Sequence, residues 1–262
     1  MSIFCASDVK TVREDRLMVA AASHPELARL SDASILRKLK IAEKEVARKL
    51  KVRLEPTVIF PYEPSEAEIA ALDGKLWDEE PGYDYDAGFF WADSWGFLVL
   101  NERPTISVDW VRFGYPSPQN TFYDIPKAWL RLDKKAGQVR LVPVGQTFTA
   151  PLNAFMMQVM GGGRSVPYML QVKYTAGLKD VKEEWPDLVD VIMKSAVLSL
   201  IKDAFKPQSG SISADGLSQS LSVDVGKYGE TIEEALFGPK GSNGGFWTAI
   251  HGLPNTVGGA GV

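Results

Sequence analysis

The sequence predicts an α+β protein: a helical platform, a long β-rich insertion within it, and an extended C-terminal arm. Three observations point there. SDASILRKLKIAEKEVARKLKV carries apolar residues at helical spacing. The hydrophobic period then drops to two through the middle of the chain. A second helical run, WPDLVDVIMKSAVLSLIKDAFKP, is apolar on nearly every face. The expected helices lie near 31–51 and 185–206. The expected organisation is a helical core from 1–51 and 177–237, a β-rich insertion at 52–176 and an arm at 238–262.

The elements follow in order. Residues 1–30 offer only short helical stretches such as EDRLMVAAA. In the first long helix Ser31 or Asp32 can cap the N-terminus, and Ile35, Leu39, Ala42, Val46 and Leu50 form the apolar stripe. Its other faces hold Arg37, Lys38, Lys40, Lys44, Arg48, Lys49 and Lys51 against Glu43 and Glu45. LEPTVIFPYEP reads as extended and proline-broken, and EPSEAEIAALDGKLW as one short helix. WDEEPGYDYDAGFFWADSWG reads as an acidic, aromatic loop. GFLVLN, TISVDWVRFGY, NTFYDIPKAWLRLD, QVRLVPVG and LQVKYTAG read as strands, separated by turn signals at ERP, YPSPQN, KKAGQ and GGGRS. PLNAFMMQVM is a candidate short helix. Pro186 suits a first helical turn and Pro207 ends the run. A helix apolar all round needs cover on every side. The first helix supplies one side, and the rest is expected from the sheet or from another protomer.

Composition excludes several classes of function. The chain has 262 residues, 45% hydrophobic and 24% charged, with a net charge of −4, so wholesale attraction to nucleic acid is not expected. One cysteine, Cys5, precludes an internal disulfide and fits a reducing compartment. The opening MSIFCASDVKTVRED carries charge too early for a signal peptide, and no apolar run approaches the roughly 20 residues of a membrane span. The two histidines, His24 and His251, stand at opposite ends, which weakens histidine-based catalysis or metal binding. No cofactor is expected.

Candidate chemistry is sparse. Asp78, Glu79, Glu80, Asp84 and Asp86 share one stretch, but their spacing is not that of a helix–loop–helix calcium site. With Trp77, Tyr83, Tyr85, Trp91 and Trp95 they also suggest a glycan cleft, although one loop does not establish two opposed carboxyls. GGGRS lacks the Lys-Ser/Thr ending of a phosphate loop, and DGLSQS lacks the glycines of a nucleophile elbow. The basic helix is either a solvated face or a contact for an acidic protein or for phosphates.

Three stretches together carry a resemblance: RKLKIAEKEVARKLKVRL (Arg37–Leu54), LNERPTISVDWVRFG (Leu100–Gly114), and LQVKYTAGLKDVKEEWPDLVDVIMKSAVLSLIKDAF (Leu170–Phe205). The chain resembles the head-to-tail adaptor, or connector, proteins of tailed bacteriophages. SISADGLSQSLSVDVGKYGETIEEAL is similar to a segment that follows the same helix in such proteins. The long insertion and the C-terminal arm depart from the small helical adaptors.

The resemblance implies a non-enzymatic virion structural protein at the head–tail junction, assembled in the host cytoplasm. It also implies a ring, a dodecamer by resemblance, docked below the portal protein and above a neck or tail protein. Translocating double-stranded DNA makes transient, non-specific contact with such a ring, and no membrane is involved. The alternatives are a tail or baseplate structural protein and a glycan-acting enzyme. On the adaptor reading, Phe246, Trp247 and Ile250 anchor the arm on the portal. Leu217, Leu221 and Val223 form a strap across a neighbouring protomer, and Lys38, Lys44 and Lys51 make electrostatic contacts between protomers.

Overall fold

The computed structural model describes residues 2–17, 29–86, 97–114, 121–142, 165–204, 225–240 and 244–252. Their contacts group into two units. One comprises Lys51–Lys179 with Ile250–Gly252, the other Ser2–Leu50 with Asp180–Ala249. The fold is α+β.

The helical unit begins with α1 (Ala6–Val12), which runs into a π-helical turn, Arg13–Leu17, and buries Val9, Val12 and Leu17. The long helix α2 (Asp32–Leu50) starts at Ser31, whose Oγ accepts the Ser34 amide at 3.3 Å. Ile35, Leu39, Ala42, Val46 and Leu50 are buried, as their spacing predicts. Glu43 shares that face. Its carboxylate is held by the Ser2 hydroxyl at 2.5 Å and the Ile3 amide at 3.2 Å, which satisfies a charge that burial alone would penalise.

In the sheet unit, β1 (Thr57–Phe60) is buried along its whole length. A capping box at Ser65 and Glu68 starts the short α3 (Glu66–Ala70). The next two elements are β2 (Leu76–Glu79) and β3 (Tyr83–Asp86), where the sequence suggested a loop. The acidic residues mask an alternation: Tyr85 faces the core and Asp84 faces out. Then come β4 (Phe97–Val99), β5 (Thr105–Gly114), β6 (Thr121–Asp124), β7 (Leu130–Asp133), β8 (Gln138–Leu141) and β9 (Ser165–Ala176).

The larger sheet runs β2-β1-β9-β5-β6, with β3 also on β9; the smaller runs β4-β8-β7. Only the β1–β2 pair is parallel; every other described pairing is antiparallel. One core cluster draws on both sheets. Ile59, Val111, Leu170, Val172 and Tyr174 come from the larger and Leu98 and Val139 from the smaller. A second cluster on the larger sheet's other face joins Val58, Phe60, Tyr62 and Leu72, with Trp110 against it.

The chain leaves β9 through Gly177, at φ +119°, a backbone conformation that side-chain-bearing residues rarely adopt. A Cβ there would lie 2.6 Å from the Glu55 carbonyl oxygen. The close approach lets the Gly177 amide reach the Pro104 carbonyl and the Leu178 amide reach that of Arg53, both at 2.9 Å.

Back in the helical unit, a turn of helix, α4 (Val181–Glu184), precedes α5 (Pro186–Ala204). Leu188, Val189, Val191, Ile192, Ala196, Val197, Leu198 and Leu200 of α5 are all buried. Where the sequence pointed to the sheet or another protomer for the remaining cover, α2, α4 and α6 (Val225–Phe237) of the same chain pack against α5. Gly238, at φ +85°, ends α6, its amide bonding the Glu234 carbonyl at 2.7 Å. The expected extended arm is also corrected in part, because Gly245–His251 forms a helix, α7. No helix among the described residues is long and apolar enough to cross a membrane.

Two substitutions test this arrangement. Ile192 is fully buried on α5, so Ile192→Ala should cost about 2–5 kcal/mol in urea unfolding. Gly177→Ala should cost at least about 1 kcal/mol, because it adds both a positive-φ penalty and a backbone clash.

Candidate functional site

The acidic stretch folds into a fastening inside the sheet unit. The Glu80 carboxylate accepts hydrogen bonds from Tyr83 Oη and Asn101 Nδ2, each at 2.5 Å, and from Tyr174 Oη. The two phenol oxygens in turn accept backbone amides, Tyr83 from Asn101 at 3.1 Å and Tyr174 from Glu102 at 3.3 Å. Arg53 bridges Asp78 at 2.6 Å and Glu102 at 2.9 Å. Asp84 takes the Tyr168 amide at 3.1 Å.

A glycosidase needs a carboxyl oxygen facing its substrate. Here both oxygens of Glu80 are bonded to neighbours. So are both of Asp78, the second by the Glu79 amide at 2.9 Å. The group ties β9 to the chain that follows β2 and to the turn before β5. Among the described residues, no cluster of three or more His, Cys, Asp or Glu side chains is arranged to hold a metal ion.

Tyr62, Tyr83 and Tyr174 of this unit hold their protons tightly. Burial, then the charge and the hydrogen bond of Glu80, pushes the Tyr83 phenol well up. Burial, then the neighbouring Tyr83 and Glu80, does the same for Tyr174. Burial and the Glu68 carboxylate, which accepts the Tyr62 hydroxyl at 2.8 Å, push Tyr62 up to about 12 against the smaller pull of Arg112.

The helical unit presents two surfaces of a different kind. On α2, Arg37, Lys40, Ile41, Lys44 and Arg48 fall three or four residues apart and are all exposed, with Lys51 just past the helix end. The cations on the flank toward the rest of the unit are engaged. Lys38 pairs with Asp203 at 2.5 Å and bonds the Ser199 hydroxyl at 3.1 Å. Lys49 pairs with Glu233 at 2.7 Å and Glu45 at 3.5 Å, and the Glu233 hydrogen bond foremost holds its ammonium above the ordinary lysine value. An open cleft of about 840 Å³ lies between α2, α5 and α6, lined among others by Glu45, Lys49, Leu198, Ile232, Glu233 and Phe237. Glu230, Glu234 and Phe237 of α6 also line this cleft, and all three are exposed.

The residues singled out from sequence separate into three groups. Phe246 and Trp247 lie on α7, half-buried against their own chain, with ring centroids 6.4 Å from Trp185 and 6.2 Å from Phe237 respectively. Ile250 is buried. These three are packed within the fold rather than held out on an arm. Leu217, Leu221 and Val223 lie outside the described residues. Of the lysines, Lys38 is committed to Asp203, while Lys44 and Lys51 are exposed. The α6 surface was not anticipated, although ETIEEALF (Glu230–Phe237) carries its signal: Glu230, Glu234 and Phe237 at positions i, i+4 and i+7.

No protein-family model matches the chain, and no curated protein sequence matches it at a significant level.

The tyrosines set an alkaline limit. Unfolded tyrosines ionise near about pH 10, whereas Tyr62, Tyr83 and Tyr174 keep their protons above that in the folded protein. Above pH 10 the native state therefore binds more protons than the unfolded state. Stability is full below about pH 10 and falls as pH rises through the folded values. The urea midpoint should decline between about pH 10 and 12, and Tyr62→Phe should reduce that slope. A midpoint flat across this window would contradict the assignment.

Proposed function

We propose that this chain is a non-enzymatic virion structural protein, a ring-forming head-to-tail adaptor that docks below a portal and extends the DNA channel toward the tail. The observation that carries the reading is how the three adaptor-like stretches lie in the fold. Arg37–Leu50 lies in α2, which packs on α5. The strand within Leu100–Gly114 is β5, hydrogen-bonded along its length to β9. The closing residues of β9, Tyr174-Thr175-Ala176 and then Gly177, lead directly into α4 and α5. Stretches far apart in sequence are thus paired within each unit.

The physical character of the surfaces supports the same reading. The carboxylates of Asp78, Glu80, Asp84 and Glu102 are engaged in structure, and the outer face of α2 offers charge rather than a cleft for small-molecule chemistry. A ring protein needs two different surfaces that are complementary to each other, one for each neighbour. A wall around moving DNA needs only weak, non-specific contact with phosphates. The partners proposed are further copies of the chain, a portal protein above and a neck or tail protein below.

Gold-labelled antibody against the chain, imaged on intact particles from its source, tests the proposal. Label concentrated at the head–tail junction is the expected result. Label elsewhere on the tail would replace it with a tail or baseplate role. Absence from particles, with a glycan-cleaving activity that Glu80→Gln removes, would replace it with an enzyme.

A further inference from the structure

We infer that the cationic outer face of α2 docks on the carboxylate face of α6 in a second copy of this chain. The proposal rests on the ring-forming reading above and names the surfaces that would make the contact. The two faces match in kind. On α2 an exposed Ile41, 46% accessible, shares its face with Arg37, Lys44 and Arg48, with Lys40 on one flank and Glu45, paired with Lys49, on the other. On α6 an exposed Phe237, 36% accessible, stands one and two turns from Glu234 and Glu230. Among the described residues, none of these four cations and neither of these two carboxylates is recorded in an ion pair. The cations that touch their own chain, Lys38 and Lys49, are by contrast paired there. Lys202 and Lys240 also line the cleft beside α6. Glu230, Glu234 and Phe237 line the same cleft, so the acceptor is its α6 wall, where these side chains are exposed.

An apolar centre within a charged rim is the pattern of a protein interface, where the centre supplies affinity and the rim supplies register and rate. Duplex DNA would engage the α2 cations, but it offers nothing to Ile41 and would be repelled by the α6 carboxylates. A second copy satisfies both surfaces at once. Because the two faces differ, the contact is heterologous: each protomer gives α2 to one neighbour and receives on α6 the α2 of another.

The test uses the full chain in two charge-reversed forms, Lys44→Glu/Arg48→Glu and Glu230→Lys/Glu234→Lys, studied by sedimentation velocity over a concentration series at low salt. Circular dichroism melting confirms that each is folded. The unmodified chain should self-associate, more weakly as salt rises. Each reversed form alone should associate at least about tenfold more weakly. An equimolar mixture should associate again, because the acidic α2 of one form then faces the basic α6 of the other.

Three outcomes overturn the proposal: no self-association of the unmodified chain, undiminished association of either reversed form, or a mixture no better than its components. Binding of a short DNA duplex that only the α2 reversal abolishes, with self-association unchanged, would assign that face to nucleic acid. None of these readouts depends on particle labelling. An adaptor that assembles through other surfaces would still label the head–tail junction while failing here.

Discussion

Strand β9 is the constraint on which the sheet unit depends. It is twelve residues long, enough to pair with β5 on one side and with both β1 and β3, end to end, on the other. Its inward residues Leu170, Val172, Tyr174 and Ala176 are buried in the cluster that joins the two sheets. Tyr174 adds a hydroxyl at the one place where that cluster meets a carboxylate. Burying a phenol costs free energy unless its hydrogen-bonding capacity is met, and Glu80 together with the Glu102 amide meets it. The acidic stretch is thus retained by the fold, although its composition alone suggests a solvated loop.

The helical unit obeys a different rule. Here α5 is the buried centre, and its all-round apolar surface requires neighbours on several sides. The chain supplies them from both directions in sequence, α2 from before the sheet residues and α4 and α6 from after them. Helices that share one buried neighbour keep only one face each for it. Their remaining faces are free to carry charge, cationic on α2 and carboxylate-rich on α6. The separation of sign between two helices of a nearly neutral chain gives the unit a polarity that the net charge hides.

Period decided what could be read from sequence. The α+β class, the stripe from Ile35 to Leu50, the apolar α5 and the alternation in β5 and β9 all follow from local spacing. Strands β2 and β3 did not, because Asp78, Glu79, Asp84 and Asp86 look like loop residues until Tyr85 is seen to point inward. Helix α7 was hidden by the glycines around it, and its aromatic pair by partners elsewhere in the chain. The polar contacts were beyond reach for a simpler reason. Glu80 and Tyr174 are 94 residues apart and Lys38 and Ser199 are 161 apart, and no local pattern announces such a pairing. The exposed faces of α2 and α6 fall between these cases: their composition was legible, but which cations were already engaged required the fold.

The backbone bond between Leu178 and Arg53 has a consequence for how such a chain can be altered. It holds the entry and exit of the sheet residues side by side, so replacing everything between them with a few residues would leave only a short loop to close. Loop closure of that size carries a small entropic cost that grows slowly with length. That geometry makes the stretch a potential cassette. A lineage can lengthen, exchange or lose it while the helices on either side keep their own core, and a protein engineer can use the same seam to graft a different domain.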